Sequence, residues 1–390
     1  MAAKRKQLKK NEFNNIDNEQ WKYTNIRKFE DFLFNSSCTE NKITHSSQYD
    51  ITIKNNDFFC SKKLDKNINV SYLSNAIKNN DFNINERAKE ISVIKKNPFI
   101  DINKKNDTDG ILINIRDNCT IKNPVKIKFE TNENSSKTFI NNRIFILMGK
   151  NVDATIITDE YFEECCYINS LIELFIDENS RIDLIQYSQK KNTTQIFNFL
   201  CNIKKNSTLN LLPIDINVKL IKKNYYVSLV GTNSSCNYNS LNLLDKFNHI
   251  DNYISMDHKN NHTFSSTKHK NILSEKSNAI FYAKAIIQNK SFNSQANQKN
   301  NNLMLSDTAV VHSNPQLEIY NNDVKCSHGS TTGEIDDETL FYMQSRGIKK
   351  QDCKKIILHG FANQILSHIN QSKIKNEIEQ KVNLWLNNVY

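Results

Sequence analysis

A chain of 390 residues can bury a sizeable core, as one elongated domain with helical appendages or as two or three ordinary ones. It carries 52 Lys and Arg against 42 Asp and Glu, but its lysines are scattered among asparagines and isoleucines, and the one dense basic run is terminal, Lys4 to Lys10. No basic helix or aromatic-interleaved sheet accompanies the net charge of +10, no stretch reaches the roughly 18 apolar residues of a membrane helix, and Met1 to Asn11 lacks a signal-peptide centre. These features exclude nucleic acid and membrane as expected partners and predict a soluble, cytoplasmic protein.

Residues 1–104 mix short helical stretches with Asn- and Lys-rich polar segments, 105–330 read as strands, and 331–390 read as helices. The strand region contains an internal repeat. Asparagine recurs at Asn151, Asn179, Asn206 and Asn233, separated by 28, 27 and 27 residues, each time between two runs of alternating apolar residues. Seven, five and three positions before these asparagines stand Ile144, Ile146, Met148; Ile172, Leu174, Ile176; Phe199, Cys201, Ile203; and Tyr226, Ser228, Val230. Three and five positions after them stand Ala154, Ile156; Ile182, Leu184; Leu209, Leu211; and Cys236, Tyr238.

A period-2 alternation inside a fixed longer period describes strand, turn and strand stacked on copies of themselves, so that equivalent side chains form ladders in a shared core. Asparagine suits such a turn because it tolerates left-handed backbone and its amide can bond the coil above. The fold expectation is therefore mainly β: a right-handed parallel β-helix over 105–330 with helical regions at both ends. An antiparallel sandwich with coincidental spacing is the alternative. Upstream, Ile121 to Phe129 fits around Asn123 only with a one-residue offset, which suggests a bulge or a cap. Downstream the period continues loosely through Asn260 or Asn261, then Ile280 to Ile287, Leu303 to Leu305 and Leu317 to Tyr320.

At the carboxy terminus, Asp336 or Asp337 suits an N-cap and Gly347 a C-cap, which predicts a helix over 338–346. Further helices are expected over 351–369 and 373–388. In the last, Ile374, Ile378, Val382, Trp385 and Leu386 share a face that another helix, the β core or a partner must cover.

Candidate chemistry concentrates at Cys326-Ser327-His328-Gly329. In a strand, residues i and i+2 face one side, so the Cys326 sulfur and the His328 imidazole would project together, a pair suited to iron, zinc or a cluster edge. Two ligands do not complete a tetrahedral site, and a packed thiol beside a surface histidine is the plainer reading. The nine cysteines include no CxxC pair, and only Cys165 and Cys166 lie close together, so most read as small apolar thiols. His258, His262 and His269 read as a solvated Lys/Asn-rich turn. No nucleophile elbow, GxGxxG or Walker sequence appears. Glu318 and Asp323 admit a carbohydrate-active β-helix enzyme only by analogy of fold.

The segment from Ser306 to Leu366, above all the string PQLEIYNNDVKCSHGSTTGEID followed by HGFANQIL, resembles the carboxy-terminal signature of the SufB/SufD family, in its SufD-type form. Glu19-Gln-Trp-Lys-Tyr-Thr-Asn-Ile26 is similar to the motif that opens the family domain. The resemblance implies a non-catalytic scaffold subunit for iron-sulfur cluster assembly. A SufB-like partner would pair through the end of the β-helix, involving Pro315, Leu317, Ile319, Tyr320 and Val324. A SufC-like ATPase would dock on the helical region through Leu340, Phe341, Tyr342, Arg346, Gly347, Gly360 and Phe361. His328 and Cys326 would help hold a transient cluster shared with SufB, in a complex of one SufB and two SufC that could also carry a flavin. A homodimeric β-helix interaction protein without cluster chemistry is the other reading. His312 stands where the family usually has an acidic residue and reads as surface variation, not as a ligand.

Overall fold

The computed structural model describes residues 20–25, 48–54, 57–61, 63–79, 81–91, 97–105, 109–130, 139–162, 167–189 and 193–389. The Lys4–Lys10 run and the Cys165/Cys166 pair lie outside them, as do Glu19 and Ile26 of the amino-terminal motif.

In chain order the elements are β1 (Ile51–Lys54), β2 (Asp57–Cys60), β3 (Ile68–Tyr72), α1 (Leu73–Lys78), α2 (Ile84–Ile91), α3 (Pro98–Lys105), β4 (Ile111–Ile115), β5 (Cys119–Thr120) and β6 (Val125–Glu130). Strands then come in pairs: β7 (Phe139–Met148) and β8 (Val152–Tyr161), β9 (Tyr167–Ile176) and β10 (Arg181–Gln189), β11 (Thr194–Ile203) and β12 (Thr208–Ile216), β13 (Leu220–Leu229) and β14 (Ser235–Leu244). They continue with β15 (His249–His258) and β16 (Phe264–Leu273), β17 (Asn278–Ile287) and β18 (Ser294–Met304), and β19 (Val310–Ile319) and β20 (Val324–Gly333). Helices α4 (Asp337–Ser345), α5 (Lys350–Leu366) and α6 (Ser372–Val389) close the chain.

Each strand pair is one coil of a parallel solenoid with about seven turns. Odd strands stack as β3-β4-β7-β9-β11-β13-β15-β17-β19, and even strands as β2-β1-β6-β8-β10-β12-β14-β16-β18-β20, with β5 beside β8. Among the described residues only β1 with β2 and β3 with β4 run antiparallel, and β1, β2 and β3 lie before residue 105. These three early strands add to the two sheets from within residues 1–104, a span the sequence read as helical and polar. The periodicity carries directly into packing. Met148, Ile176, Ile203 and Leu229 form one inner ladder, and Ala154, Ile182, Leu209 and Cys236 face them from the other sheet, all essentially buried. Each fully buried Leu or Ile contributes about 1.5–3 kcal/mol, so the ladders hold coil on coil.

The turns follow the asparagines. Asn151, Asn179, Asn206 and Asn233 have φ of 54°, 57°, 56° and 60°, the left-handed region that asparagine tolerates. Asn206 donates to Asn179 Oδ1 at 2.9 Å and Asn233 to Asn206 Oδ1 at 3.2 Å, so the turn amides form a ladder of their own. Two turn assignments are corrected. Upstream the left-handed residue is Asn118, not Asn123, and extra residues between β5 and β6 absorb the phase offset. Downstream it is His262, not Asn260 or Asn261, because that coil is longer. Gly231 serves a different need: a β-carbon there would overlap the Lys204 and Lys205 backbone of the coil below. Gly231→Ala is expected to cost about 1–3 kcal/mol through forced separation of the turns, read as a lower urea midpoint.

Both outer sheet faces are covered. α1 to α3 lay Leu73, Ile84, Ile91 and Ile100 against Phe145, Leu171 and Phe175 of the odd sheet. α5 and α6 lay Leu358, Ile365, Ile374, Ile378, Val382 and Trp385 against Ile185, Leu212, Ile214, Leu241 and Ile272 of the even sheet. The predicted apolar face of the last helix is thus covered by the solenoid together with α5. α4 begins as expected, with Asp336 accepting from the Thr339 N–H at 2.9 Å and Gly347 at φ 86° just past its end.

Candidate functional site: the open end of the solenoid

The last coil has a neighbour on one side only. β19 pairs with β17, β20 pairs with β18, and the outer edge of each ten-residue strand carries no paired strand among the described residues. Such an edge offers a row of free N–H and C=O groups. Val310 is 43 % exposed, Ile319 45 % and Tyr320 58 %, so apolar side chains flank this edge.

Register fixes which side chains face the solenoid interior. Down the even sheet one column runs Cys236, Ser265, Ala296, Cys326; the next runs Tyr238, Thr267, Gln298, His328; a third runs Ser240, His269, Asn300, Ser330. Cys326 and His328 therefore lie two residues apart on the inner face of the last strand. Leu317, Val324 and Cys326 pack on Ala285, Ile287 and Ala296, which closes one side of the mouth. Ser330 donates to Ser313 Oγ at 2.7 Å and so bridges β20 to β19 on the other side.

The half-buried Cys326 thiol is pushed up by burial, against a backbone hydrogen bond from Ala296 that favours the thiolate. His328 is exposed, and its ring has no hydrogen-bond partner among the described residues. Together they offer a soft sulfur and a borderline nitrogen. Among the described residues no cluster of three or more His, Cys, Asp or Glu side chains suited to a metal exists.

Of the helical residues singled out, Phe341 is 74 % and Tyr342 60 % exposed, with Arg346 reaching the Tyr342 hydroxyl at 3.2 Å. Gly347 and Gly360 are also exposed. Leu340 is buried, and Phe361 is half-buried under Lys270, whose ammonium sits 3.8 Å from its ring centroid and donates to Gln364 Oε1 at 2.6 Å. The exposed aromatic pair of α4 thus belongs to the surface, and Phe361 to the seam between α5 and the solenoid.

Lys270 was not legible as special. Burial first, then the charge of Lys299, lowers its pKa from 10.5 to about 8. A depressed folded pKa means that the stability linked to this amine is complete above 10.5 and is lost as pH falls through about 8. Stability of the parent relative to Lys270→Met is therefore expected to rise between pH 8 and 9.5, which paired urea titrations would read.

The histidine cluster is corrected. His258 and His269 are fully buried strand residues, hydrogen bonded inside the solenoid, and only His262 sits in a turn. His312 also has a partner: it stacks on Tyr23, ring centroids 4.2 Å apart, on the outer side of β19. The sequence missed the polar interior near the open end as well, where Asn242 donates to Asn271 at 2.7 Å and Asn271 to Asn302 at 2.6 Å. The alternating Asn300 and Asn302 were its only trace.

Comparison with known proteins assigns this architecture to a class. The SUF system FeS cluster assembly SufBD core domain matches residues 129–361, more than half of the chain, and the chain belongs to that family. Its likeness is SufD-like. It is 34 % identical over 163 residues to the iron-sulfur cluster assembly protein SufD of Escherichia coli, covering 42 % of this chain and 38 % of that protein. It is 24 % identical over 295 residues to an iron-sulfur cluster assembly SufBD family protein of Synechocystis, covering 73 % and 65 %. Against the chloroplastic protein ABCI7 of Arabidopsis thaliana it is 24 % identical over 298 residues, covering 73 % and 62 %. The matches thus span less than two thirds of each of these relatives. Among the described residues no helix is long and apolar enough to cross a membrane.

Proposed function

We propose that this chain is a non-catalytic SufD-type scaffold subunit in iron-sulfur cluster assembly. A SufB-like partner adds strands to the free edges of β19 and β20, and a SufC-like ATPase docks on α4 and the start of α5 through Phe341, Tyr342 and Arg346. His328 and Cys326 contribute ligands to a cluster carried as transient cargo, and the SufB-like partner supplies the remaining ligands. The observation that carries this reading is the pairing of an apolar-flanked strand edge with an inward Cys326 and a His328 on that same last coil, edge and imidazole both without a partner among the described residues. An edge of that length is an aggregation liability unless a partner covers it.

Co-expression with SufB-like and SufC-like neighbours, anaerobic purification, mass determination and an absorption spectrum test it. The expected product is one SufB-like subunit, two SufC-like subunits and this chain, with a visible chromophore. His328→Ala is expected to leave assembly intact and remove most of that absorption, because an exposed imidazole without hydrogen bonds carries no folding role. Recovery of a colourless homodimer that never captures the ATPase would overturn the proposal and favour a plain interaction protein.

A further inference from the structure

A cavity of about 370 Å³ lies on the outer face of the even sheet, beneath the loop that joins α5 to α6. Two rows of outward side chains form its floor. One row is Thr155, Asp183, Asn210, Asn237 and Ser266. The other starts with the aliphatic Ile185 and Leu212, then turns polar at the neighbouring pair Asn239 and Lys268. Ser367, His368, Asn370 and Gln371 form the opposite wall.

Most of the polar groups here already have partners. Asp183 is 3.3 Å from Arg181, accepts from Asn210 at 2.6 Å and from Asn370 at 3.4 Å, and Asn237 donates to Asn210 at 2.9 Å. Asn239 is different. It is only 7 % exposed and lines the cavity, yet its amide bonds no described residue. With no partner in the described protein, the amide is left facing the cavity, whereas an aliphatic side chain at this position would simply continue the row. Beside it, the exposed Lys268 has no ion pair or hydrogen bond among the described residues. The charge of Lys268 is felt across the cavity, since His368 has its pKa lowered first by burial and then by that ammonium. α6 begins at Ser372, directly after Gln371, so the positive end of an 18-residue helix stands at the cavity wall.

We propose that this cavity binds a small organic oxyanion, a phosphate ester or a polycarboxylate. Its charged oxygens lie against Lys268 and the amino end of α6, Asn239 donates its amide N–H, and Ile185 and Leu212 receive the carbon skeleton. The volume falls in the usual range for small-molecule pockets, about 300–1,000 Å³, and a bare inorganic ion would leave most of it empty.

Calorimetric titration of the whole chain with glycerol 3-phosphate, citrate and inorganic phosphate tests the site without any partner protein. One of the two organic probes is expected to bind saturably at one site, and which of them does separates ester from carboxylate. Lys268→Ala, on the surface and outside the core, and Asn239→Leu, which completes the aliphatic row, are each expected to weaken binding about tenfold or more, equivalent to about 1.4 kcal/mol. The His368 ring resonances are expected to shift on titration in the parent and not in Asn239→Leu. Binding weaker than about 1 mM for both organic probes, binding unchanged in both variants, or inorganic phosphate binding as tightly as the organic probes would overturn the proposal.

Discussion

Acidification from pH 7 to about 4.5 is expected to remove about 5 kcal/mol of stability through two histidines alone, at about 1.36 kcal/mol per pH unit for each. His258 and His269 have no exposed surface, and burial holds each pKa at about 3 against an ordinary value of 6.5. His258 meets the Thr263 hydroxyl at 2.7 Å and the Ser265 hydroxyl at 2.8 Å. His269 meets Ser240 and Asn242 and stacks on Phe281, ring centroids 4.8 Å apart. Below pH 6.5 the unfolded chain takes up protons that the folded chain refuses until about pH 3. Their contribution is therefore complete above 6.5 and is lost as pH falls toward 3. Urea midpoints at the two pH values measure the loss. The double variant His258→Gln, His269→Gln is expected to show a flatter acid limb, and an unchanged slope would assign the loss to carboxylates instead.

How far the sequence disclosed the molecule depended on whether a feature repeats. Asn151, Asn179, Asn206 and Asn233 recur at nearly equal spacing because each occupies the same left-handed turn, and a repeated constraint leaves a repeated residue. Where coil length changed, His262 took the turn and the rhythm was lost. The interior near the open end was illegible for a related reason: Asn242, Asn271 and Asn302 satisfy one another across coils, while asparagine in this chain also fills the turns at Asn151, Asn179, Asn206 and Asn233, so the residue type alone does not tell an inward position from a turn. His269 looked solvated because Lys268 and Lys270 flank it on the outward face of the same strand, and His258 because it ends its strand beside Lys259; alternation hides an inward histidine among polar neighbours. Cys326 and His328 were legible as a same-face pair, and the resemblance put them toward the end of the β-helix, but that the strands of this coil have a neighbour on one side only needed the strand order. The cavity at Asn239 was wholly hidden, since its walls come from five strands and a distant loop.

Asp251→Ala is expected to destabilise the protein by about 3–5 kcal/mol, the usual cost of stranding one charge of a buried pair. Lys222 and Asp251 are register neighbours on the outer face of the odd sheet, 0 % and 2 % exposed, with 2.8 Å between ammonium and carboxylate. The contact is an ion pair whose ammonium is not in line for a hydrogen bond. Residues 20–25 seal it. Thr24 donates to Asp251 Oδ2 at 2.5 Å and lies 3.3 Å from His249 Nε2, while Trp21 brings its ring within 5.1 Å of the Lys222 ammonium. The Trp-Lys-Tyr-Thr motif of the amino terminus therefore covers a charge pair that would otherwise hydrate, and its Tyr23 reaches the last coil at His312. Removing the carboxylate leaves Lys222 buried without its counter-charge and Thr24 without its acceptor. Loosening should spread from there, so proteolysis near residues 20–25 is expected to accelerate in Asp251→Ala along with the lower urea midpoint. The double variant Lys222→Met, Asp251→Leu removes both charges and keeps the volume, and it is expected to recover most of the loss. If the double variant is as unstable as the single one, the penalty arises from the Thr24 contact and the packing around Trp21, and the buried charge is not its source.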